Sequence, residues 1–364
     1  LEYYEPYNMY NQGIININAI IHDYRDLFNL SEENRNGACG YNVSCPESDG
    51  YELQINASSF LDMRNGYICS GTMLNNERND YTPYYWTAWH CIYNVDFDEF
   101  EDFRFYFDYG TSTCEGSNAG YGNFATDGLL ISHSDGMDPD YALILIQDFN
   151  NMSTTNDLPN GVCYAGWDKS ASTPMIASGV HHPDGLPKKI NFDDDIGYSY
   201  PFIINWGDVD GDGNNETSPI NSHWRIRWDA GGTAGGSSGS GVFNDQGLLV
   251  GQLSGGNNDC VDPTLEQDCA VANSSSNCYS IVGCEWSNQE CVLSATQDFY
   301  GKFSRAFNDV AQWLDPFNSG ISSIDGICTC SEGYDECGVC DGPGLNENGC
   351  CGEETTDECG VCGG

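Results

Sequence analysis

From Cys39 to about Thr155 the apolar positions come in short runs broken by turn residues, clearest over Tyr51–Asn56, Ile68–Leu74, Phe103–Tyr109 and Tyr141–Ile146. In one of them Phe103, Phe105 and Phe107 alternate with Arg104, Tyr106 and Asp108, the period-2 pattern of a half-buried strand. A second series of such runs extends from Val162 to about Leu253. Many short strands predict an all-β sandwich or barrel. Two successive series suit two antiparallel barrels, over about 50–155 and 160–300, with a cleft between them. Only near the end does the period change. Phe303, Phe307, Val310 and Leu314 recur at helical spacing and Pro316 stops the run, so one amphipathic helix is expected over about 302–315, packed on the second barrel.

Three stretches fall outside this pattern. Residues 1–36 are rich in Tyr, Asn and Ile and precede the first cysteine; they read either as a pro-segment remnant cut near Arg35 or as an extra strand. Within the core domain, 37–327, the segment 262–294 holds Cys269, Cys278, Cys284 and Cys291 and reads as a Cys-rich insertion whose cysteines pair among themselves. The tail, 328–364, holds eight cysteines and nine acids without a Lys or Arg, and Asp335–Cys340 returns as Asp357–Cys362. Paired CxxC motifs can bind zinc. No histidine accompanies these, so disulfide staples are the expectation. The tail resembles the acidic Cys-rich repeats that link secreted bacterial enzymes to further C-terminal modules, which allows attachment at a cell surface.

Charge narrows the partners. With 12 Lys+Arg against 55 Asp+Glu, the formal net charge is −43. Such a surface repels nucleic acid and anionic membrane and suits salty water. Nineteen cysteines point to an oxidising, extracellular setting. No apolar run approaches the ~20 residues of a membrane span. The chain opens Leu1-Glu2-Tyr3-Tyr4 with neither initiator Met nor signal peptide, as expected of a processed product, and a monomer is anticipated.

The candidate chemistry centres on Gly235-Gly236-Ser237-Ser238-Gly239-Ser240-Gly241. Small residues around a serine let the backbone turn tightly and gather main-chain N–H groups in one space. A serine hydroxyl there needs a base, and the base needs a carboxylate to hold its tautomer. Trp86-Thr87-Ala88-Trp89-His90-Cys91 offers the histidine and Asp138-Pro139-Asp140-Tyr141 the acid. The chain order His, Asp, Ser is one of several that build this geometry.

With these residues, the chain from about Gly37 to Ile327 resembles the bacterial lysyl endopeptidase family of chymotrypsin-fold serine proteases. The likeness is carried by Ser44-Cys45-Pro46, Cys69-Ser70-Gly71-Thr72, Thr87–Cys91, Gly179-Val180-His181-His182-Pro183, Gly251-Gln252-Leu253 and Trp313-Leu314-Asp315-Pro316. The resemblance implies a double barrel of two six-stranded antiparallel sheets. It also implies hydrolysis of peptide bonds through an acyl-enzyme, without a catalytic cofactor. In it His90 is the general base, Asp140 its orienting partner and Ser238 the nucleophile, Ser237 being the rival hydroxyl. The oxyanion donors are the N–H groups of Gly236 and Ser238. Because Ser237 replaces the Asp of trypsin-like enzymes, a new amino terminus has no carboxylate to pair with there.

The same resemblance makes Ser254-Gly255-Gly256 the strand edge for an extended substrate. Asp298, two residues before Tyr300-Gly301, becomes the pocket acid that selects Lys, with Arg a possible competitor. Ser254 stands where the family has His. If Asp298 points away from the pocket, a non-basic specificity follows; a silent, protease-like binding module is the other alternative. Cysteines carry over as Cys39–Cys260, Cys45–Cys114 and Cys69–Cys91, which leaves Cys163 as a buried odd thiol. Lastly, Asp208-Val209-Asp210-Gly211-Asp212-Gly213-Asn214-Asn215-Glu216 alternates carboxylates with glycines. Asp208, Asp210, Asp212, Asn214 and Glu216 are thus either oxygen ligands for a structural calcium or a solvated acidic turn.

Overall fold

The computed structural model describes residues 39–116, 124–148, 161–256, 284–287, 290–293 and 297–329. The extension 1–36, most of the insertion and the tail beyond residue 329 lie outside the described residues.

In chain order the first strands are β1 (Tyr41–Asn42), β2 (Ser58–Asp62), β3 (Ile68–Leu74), β4 (Tyr84–Thr87), β5 (Arg104–Tyr106), β6 (Phe124–His133) and β7 (Ala142–Asp148). Then come β8 (Cys163–Tyr164), β9 (Trp167–Asp168), β10 (Ala177–His181), β11 (Lys189–Asp193), β12 (Tyr198–Ser199), β13 (Ile204–Gly207), β14 (Glu216–Ser218) and β15 (His223–Ile226). The series closes with β16 (Gly241–Phe243), β17 (Leu249–Gly256), β18 (Cys284–Ser287), β19 (Glu290–Leu293), β20 (Asp298–Lys302), β21 (Ser323–Ile324) and β22 (Ile327–Cys328).

Strands β2 to β7 close a barrel in the order β2-β3-β4-β7-β6-β5. Inside it pack Leu61, Met73, Tyr85, Phe103, Phe105, Ala142 and Ile144, each essentially without exposure. The other faces of β2 and β5 are apolar too: Phe60 and Tyr106 form a small cluster with Tyr109. The alternation over Phe103–Tyr109 is therefore real, but strand pairing is confined to Arg104–Tyr106. The second region is a half-barrel sheet along the path β1-β11-β10-β16-β17-β20-β15-β12. Its strands are antiparallel apart from the contact of β17 with β9. Together they form the expected all-β double-barrel architecture.

Three expectations about the fold fail, the third in the packing of the last helix. Tyr51–Asn56 is not a strand: Glu52–Ala57 forms a short helix, α1, that buries Gln54, Ile55 and Ala57. The run Tyr51, Leu53, Ile55 fits a period of two, and its few residues also fit a helical face, so periodicity alone could not arbitrate. Cys163 is not a thiol. It is bonded to Cys328 (S–S 1.98 Å) where β22 pairs with β8, because the chain returns after the last helix to the start of the second region. Cys328 thus belongs to the core domain and not to the tail. Cys45–Cys114 and Cys69–Cys91 form as expected, whereas Cys260 lies outside the described residues.

The helix α2 (Phe303–Leu314) buries Phe303, Ala306, Phe307, Val310 and Leu314. It packs on both regions, not on the second alone: Phe303 lies edge-on to Trp86 of the first barrel at 5.2 Å and tilted against Trp167 at 5.8 Å. Leu74, Trp86 and Leu143 share one core with Val180, Phe243 and this helix. Fully burying a large apolar side chain stabilises by about 1.5–3 kcal/mol, so the helix acts as a wedge that fixes the seam between the regions.

Candidate active site

On the first-barrel side, β4 ends in a short 3-10 turn, Trp89–Cys91, that carries His90. The Cys69–Cys91 disulfide ties this turn to β3. Asp140 precedes β7 in the left-handed region (φ 64°), a conformation that Asp tolerates better than most residues. It is wholly buried. One carboxylate oxygen accepts the His90 backbone N–H at 2.9 Å and the other lies 2.8 Å from the ring Nδ1. A carboxylate only accepts, so Nδ1 carries the proton and Nε2 keeps its lone pair. Burial works to lower the His90 pKa, but the charge of Asp140 and its hydrogen bond outweigh this and leave it raised.

The second region grips that pair. Gln252 Nε2 donates to the carbonyls of Pro139 (2.6 Å) and Asp140 (3.0 Å), and its Oε1 accepts Trp86 Nε1–H at 2.9 Å. One buried amide thus holds the Asp140 turn from across the seam.

The serine loop, between residues 234 and 240, lies against the same seam. Gly239 rests on Thr87 and Ala88, where a Cβ would come within 2.1 Å of Thr87 Oγ1 and 2.8 Å of Ala88 N. This close approach brings the residue after Ser238 against the chain just before the turn that bears His90, and only glycine permits it. The carbonyls from Gly235 to Ser238 are all occupied. Gly235 O accepts from Asp184 N, Gly236 O from Ser70 Oγ (2.8 Å), Ser237 O from Ser240 N (3.1 Å) and Ser238 O from Ser70 N (2.8 Å). Among the described residues, by contrast, the N–H groups of Gly236 and Ser238 find no acceptor. Two unpaired donors that flank Ser237 on a tethered loop are of the kind that can stabilise a developing oxyanion. Ser237 is fully buried and Ser238 is partly exposed, so of the two rival hydroxyls only the second is accessible.

Asp298 opens β20 and is fully buried. Its oxygens accept from Thr233 Oγ1 and Trp228 Nε1, each at 2.9 Å. Gly256 pairs with it across the sheet, and a Cβ there would sit 2.0 Å from its Oδ1. Beyond Leu253 the side of β17 that faces the serine loop has no strand partner among the described residues, since β16 pairs only with Leu249–Gln252. Gly255 and Gly256 therefore form an open edge. Ser254 turns its hydroxyl inward, 3.1 Å from His223 Nε2.

The acidic turn is divided. Carboxylate oxygens of Asp208, Asp210 and Glu216 lie within 4.8 Å of one another. Asp212 instead accepts two hydrogen bonds from Asn214, at 2.7 and 3.0 Å, and sits apart from the cluster. A second acidic cluster, Asp193, Asp195 and Asp229, was not anticipated; Asp229 joins it from 34 residues beyond Asp195. Also unforeseen are the roles of Ser70, Gln252, Thr233 and Trp228. Ser70 and Gln252 lie inside motifs that carry the family likeness, so that signal was present. Thr233 and Trp228 carry no local signature.

A histidine–carboxylate pair on one barrel, facing a glycine-rich serine loop on the other, defines the chymotrypsin-like class. A family model, "Lysyl endopeptidase, C-terminal domain", matches residues 33–270, and the chain belongs to that family. Lysyl endopeptidase of Pseudomonas aeruginosa is 29% identical over 265 residues, 67% of this chain and 50% of that protein. The chain thus spans about half the length of this curated relative. Among solved structures, an active-form protease from M. tuberculosis aligns with a TM-score of 0.41 at 12% identity, over 74% of this chain and 84% of that one. A thermostable serine protease from an extremophilic microorganism gives 0.40 at 13%, over 71% and 95%. Such distant likenesses add nothing to the topology above. No helix among the described residues is long and apolar enough to cross a membrane.

Proposed function

We propose that this protein is a secreted serine endopeptidase that cleaves after lysine. The observation that carries this is the serine loop, whose Gly235 to Ser238 carbonyls are tied while the Gly236 and Ser238 N–H groups find no acceptor among the described residues, on the same seam as the His90–Asp140 pair. Ser238 Oγ attacks the substrate carbonyl and its proton passes to His90 Nε2. The oxyanion is held by the two N–H groups. Collapse expels the amine, which takes the proton from His90, and water then releases the acyl group by the same route. Asp140 stabilises the imidazolium formed in each step.

An extended peptide adds to the open edge at Gly255-Gly256 as a further strand. Its lysine ammonium enters toward Asp298, where a desolvated carboxylate makes a strong charge-assisted contact. Asp298 lies beyond the residues matched by the family model, so its role rests on its burial and its place against Gly256. We also read Asp208, Asp210 and Glu216 as the ligands of a structural calcium, hard oxygen donors that suit that ion. The cysteines and the acidic surface fit an extracellular enzyme acting as a monomer on protein substrates.

The test is labelling with an organophosphonate, followed by a peptide library with Lys, Arg, Glu, Leu or Phe at the cleaved position. Covalent label lost in Ser238→Ala, and a Lys preference that collapses in Asp298→Asn, are expected. An unlabelled wild type favours the silent binding module. A preference for Glu or Phe sinks the pocket assignment while leaving the enzyme class intact.

A further inference from the structure

We infer that His181 is a positioning residue that sets the shape of the oxyanion loop by holding the Ser237 hydroxyl. This role presupposes the serine-peptidase activity proposed above and adds a residue with no part in the proton transfers.

Ser237 lies between Gly236 and Ser238, whose N–H groups find no acceptor among the described residues, and its own side chain is entirely buried. Its Oγ is 2.7 Å from His181 Nδ1 and accepts the Ala234 N–H at 3.1 Å. The other ring nitrogen of His181, Nε2, lies 3.2 Å from the Cys39 carbonyl. A carbonyl only accepts, so Nε2 carries the proton. Burial keeps the ring neutral, with its pKa lowered to about 4, and Nδ1 therefore offers a lone pair. The direction of each bond follows. Ser237 O–H donates to Nδ1, Ala234 N–H donates to Ser237 Oγ, and His181 Nε2–H donates to Cys39 O.

The consequence is geometric. Ser70 holds the carbonyls of Gly236 and Ser238 from the first barrel, but a grip on one side does not fix rotation of the peptides between them. The Ser237 side chain supplies the second grip, from β10 of the second region. His181 ends β10 in register with Lys189, so the rigid sheet carries the anchor. His181 is 1% exposed and cannot meet substrate. Enzymes with an Asp before the nucleophile can pin this loop with an ion pair. Here a neutral chain of hydrogen bonds does so, and it involves no newly freed amino terminus.

The experiment measures kcat, KM and melting temperature on a lysyl peptide substrate, together with affinity for a peptidyl boronate, which mimics the tetrahedral state. Wild type is compared with His181→Leu, His181→Asn, Ser237→Ala and the double variant His181→Leu/Ser237→Ala. Losing one oxyanion donor costs roughly 10²–10³ in kcat. Loss of its positioning is expected to cost about 10–100-fold in kcat and a similar factor in boronate affinity, with KM within about 2-fold. The double variant should be no worse than the more damaged single one, since the two residues act as a unit. Asn places an acceptor near the site of Nδ1, so His181→Asn should recover most of the loss.

A wild-type kcat in both Ser237→Ala and His181→Asn, should His181→Leu fail to fold, overturns the proposal. So does a lowered melting temperature with unchanged kcat, or strictly additive losses. A wild type that cleaves no peptide overturns the peptidase activity and this role with it.

Discussion

Two carboxylate settings in this protein, the seam and the acidic turn, contrast, and the contrast explains why one geometry is definite and the other is not. At the seam, Asp140 is fully buried and both its oxygens are engaged by one residue, through the His90 backbone and ring. In the acidic turn, Asp208 and Asp210 are exposed, and only Glu216 is partly buried. A buried charge must be matched by fixed donors, so its position is dictated by the fold. Exposed like charges are screened by water and salt, so their spacing is set by the turn and by whatever cation they meet.

The largest break in that contrast is Asp140→Asn. The packing is retained but the ring tautomer is no longer dictated, and kcat is expected to fall by about 10⁴, the size such a change has in the trypsin template. The pH profile should report the cause. Burial lowers the His90 pKa and the Asp140 charge more than restores it, leaving it raised. The ring must be neutral to act as base, so activity rises only as pH passes this elevated value. In Asp140→Asn the acid limb should move to lower pH. The sign for stability is opposite. A raised folded-state pKa stabilises the fold below the unfolded value, and that contribution is lost as pH rises through the folded one. An acid limb that does not move would mean that Asp140 is not the charge that His90 feels.

A moderate effect is expected at the acidic turn. If Asp208, Asp210 and Glu216 hold calcium, saturation at a hundredfold excess over Kd stabilises by about 2.7 kcal/mol. Chelator should then lower the melting temperature by several degrees, and Asp210→Asn should abolish the response. A melting temperature indifferent to chelator and added calcium alike would leave this as a solvated turn.

The smallest effect is expected from Arg305, which forms a two-pronged ion pair with Asp138 just before the Asp140 turn. The pair is close to the seam but its side chains are 43% and 32% exposed, and such pairs contribute about 0–1 kcal/mol. Arg305→Ala should shift stability within that range and leave kcat nearly unchanged. A large loss of activity would show that exposure is a poor guide here and that the buried clamp from Gln252 does not suffice.

Much of this was legible in the chain itself. The alternation of Phe103, Phe105 and Phe107, the apolar run Ile68–Leu74 and the helical spacing of Phe303, Phe307, Val310 and Leu314 are local properties, and each corresponds to an element observed. Where a window was too short to separate two periods, as at Glu52–Ala57, the sequence alone could not choose; burial of Gln54 and Ile55 under the second region decided for a helix. The pairing of Cys163 with Cys328 spans 165 residues, and nothing local signals it. The same holds for the grip of Ser70 on the serine loop, of Gln252 on the Asp140 turn, and of His181 on Ser237, each a contact between a strand and a distant loop or turn. Residue type and spacing determine which chemistry the chain can offer, because propensity, turn geometry and proton affinity act over a few residues. Which donors remain unpaired, which hydroxyl is reachable and which carboxylate is dry depend on what packs opposite, and only the tertiary structure decides that.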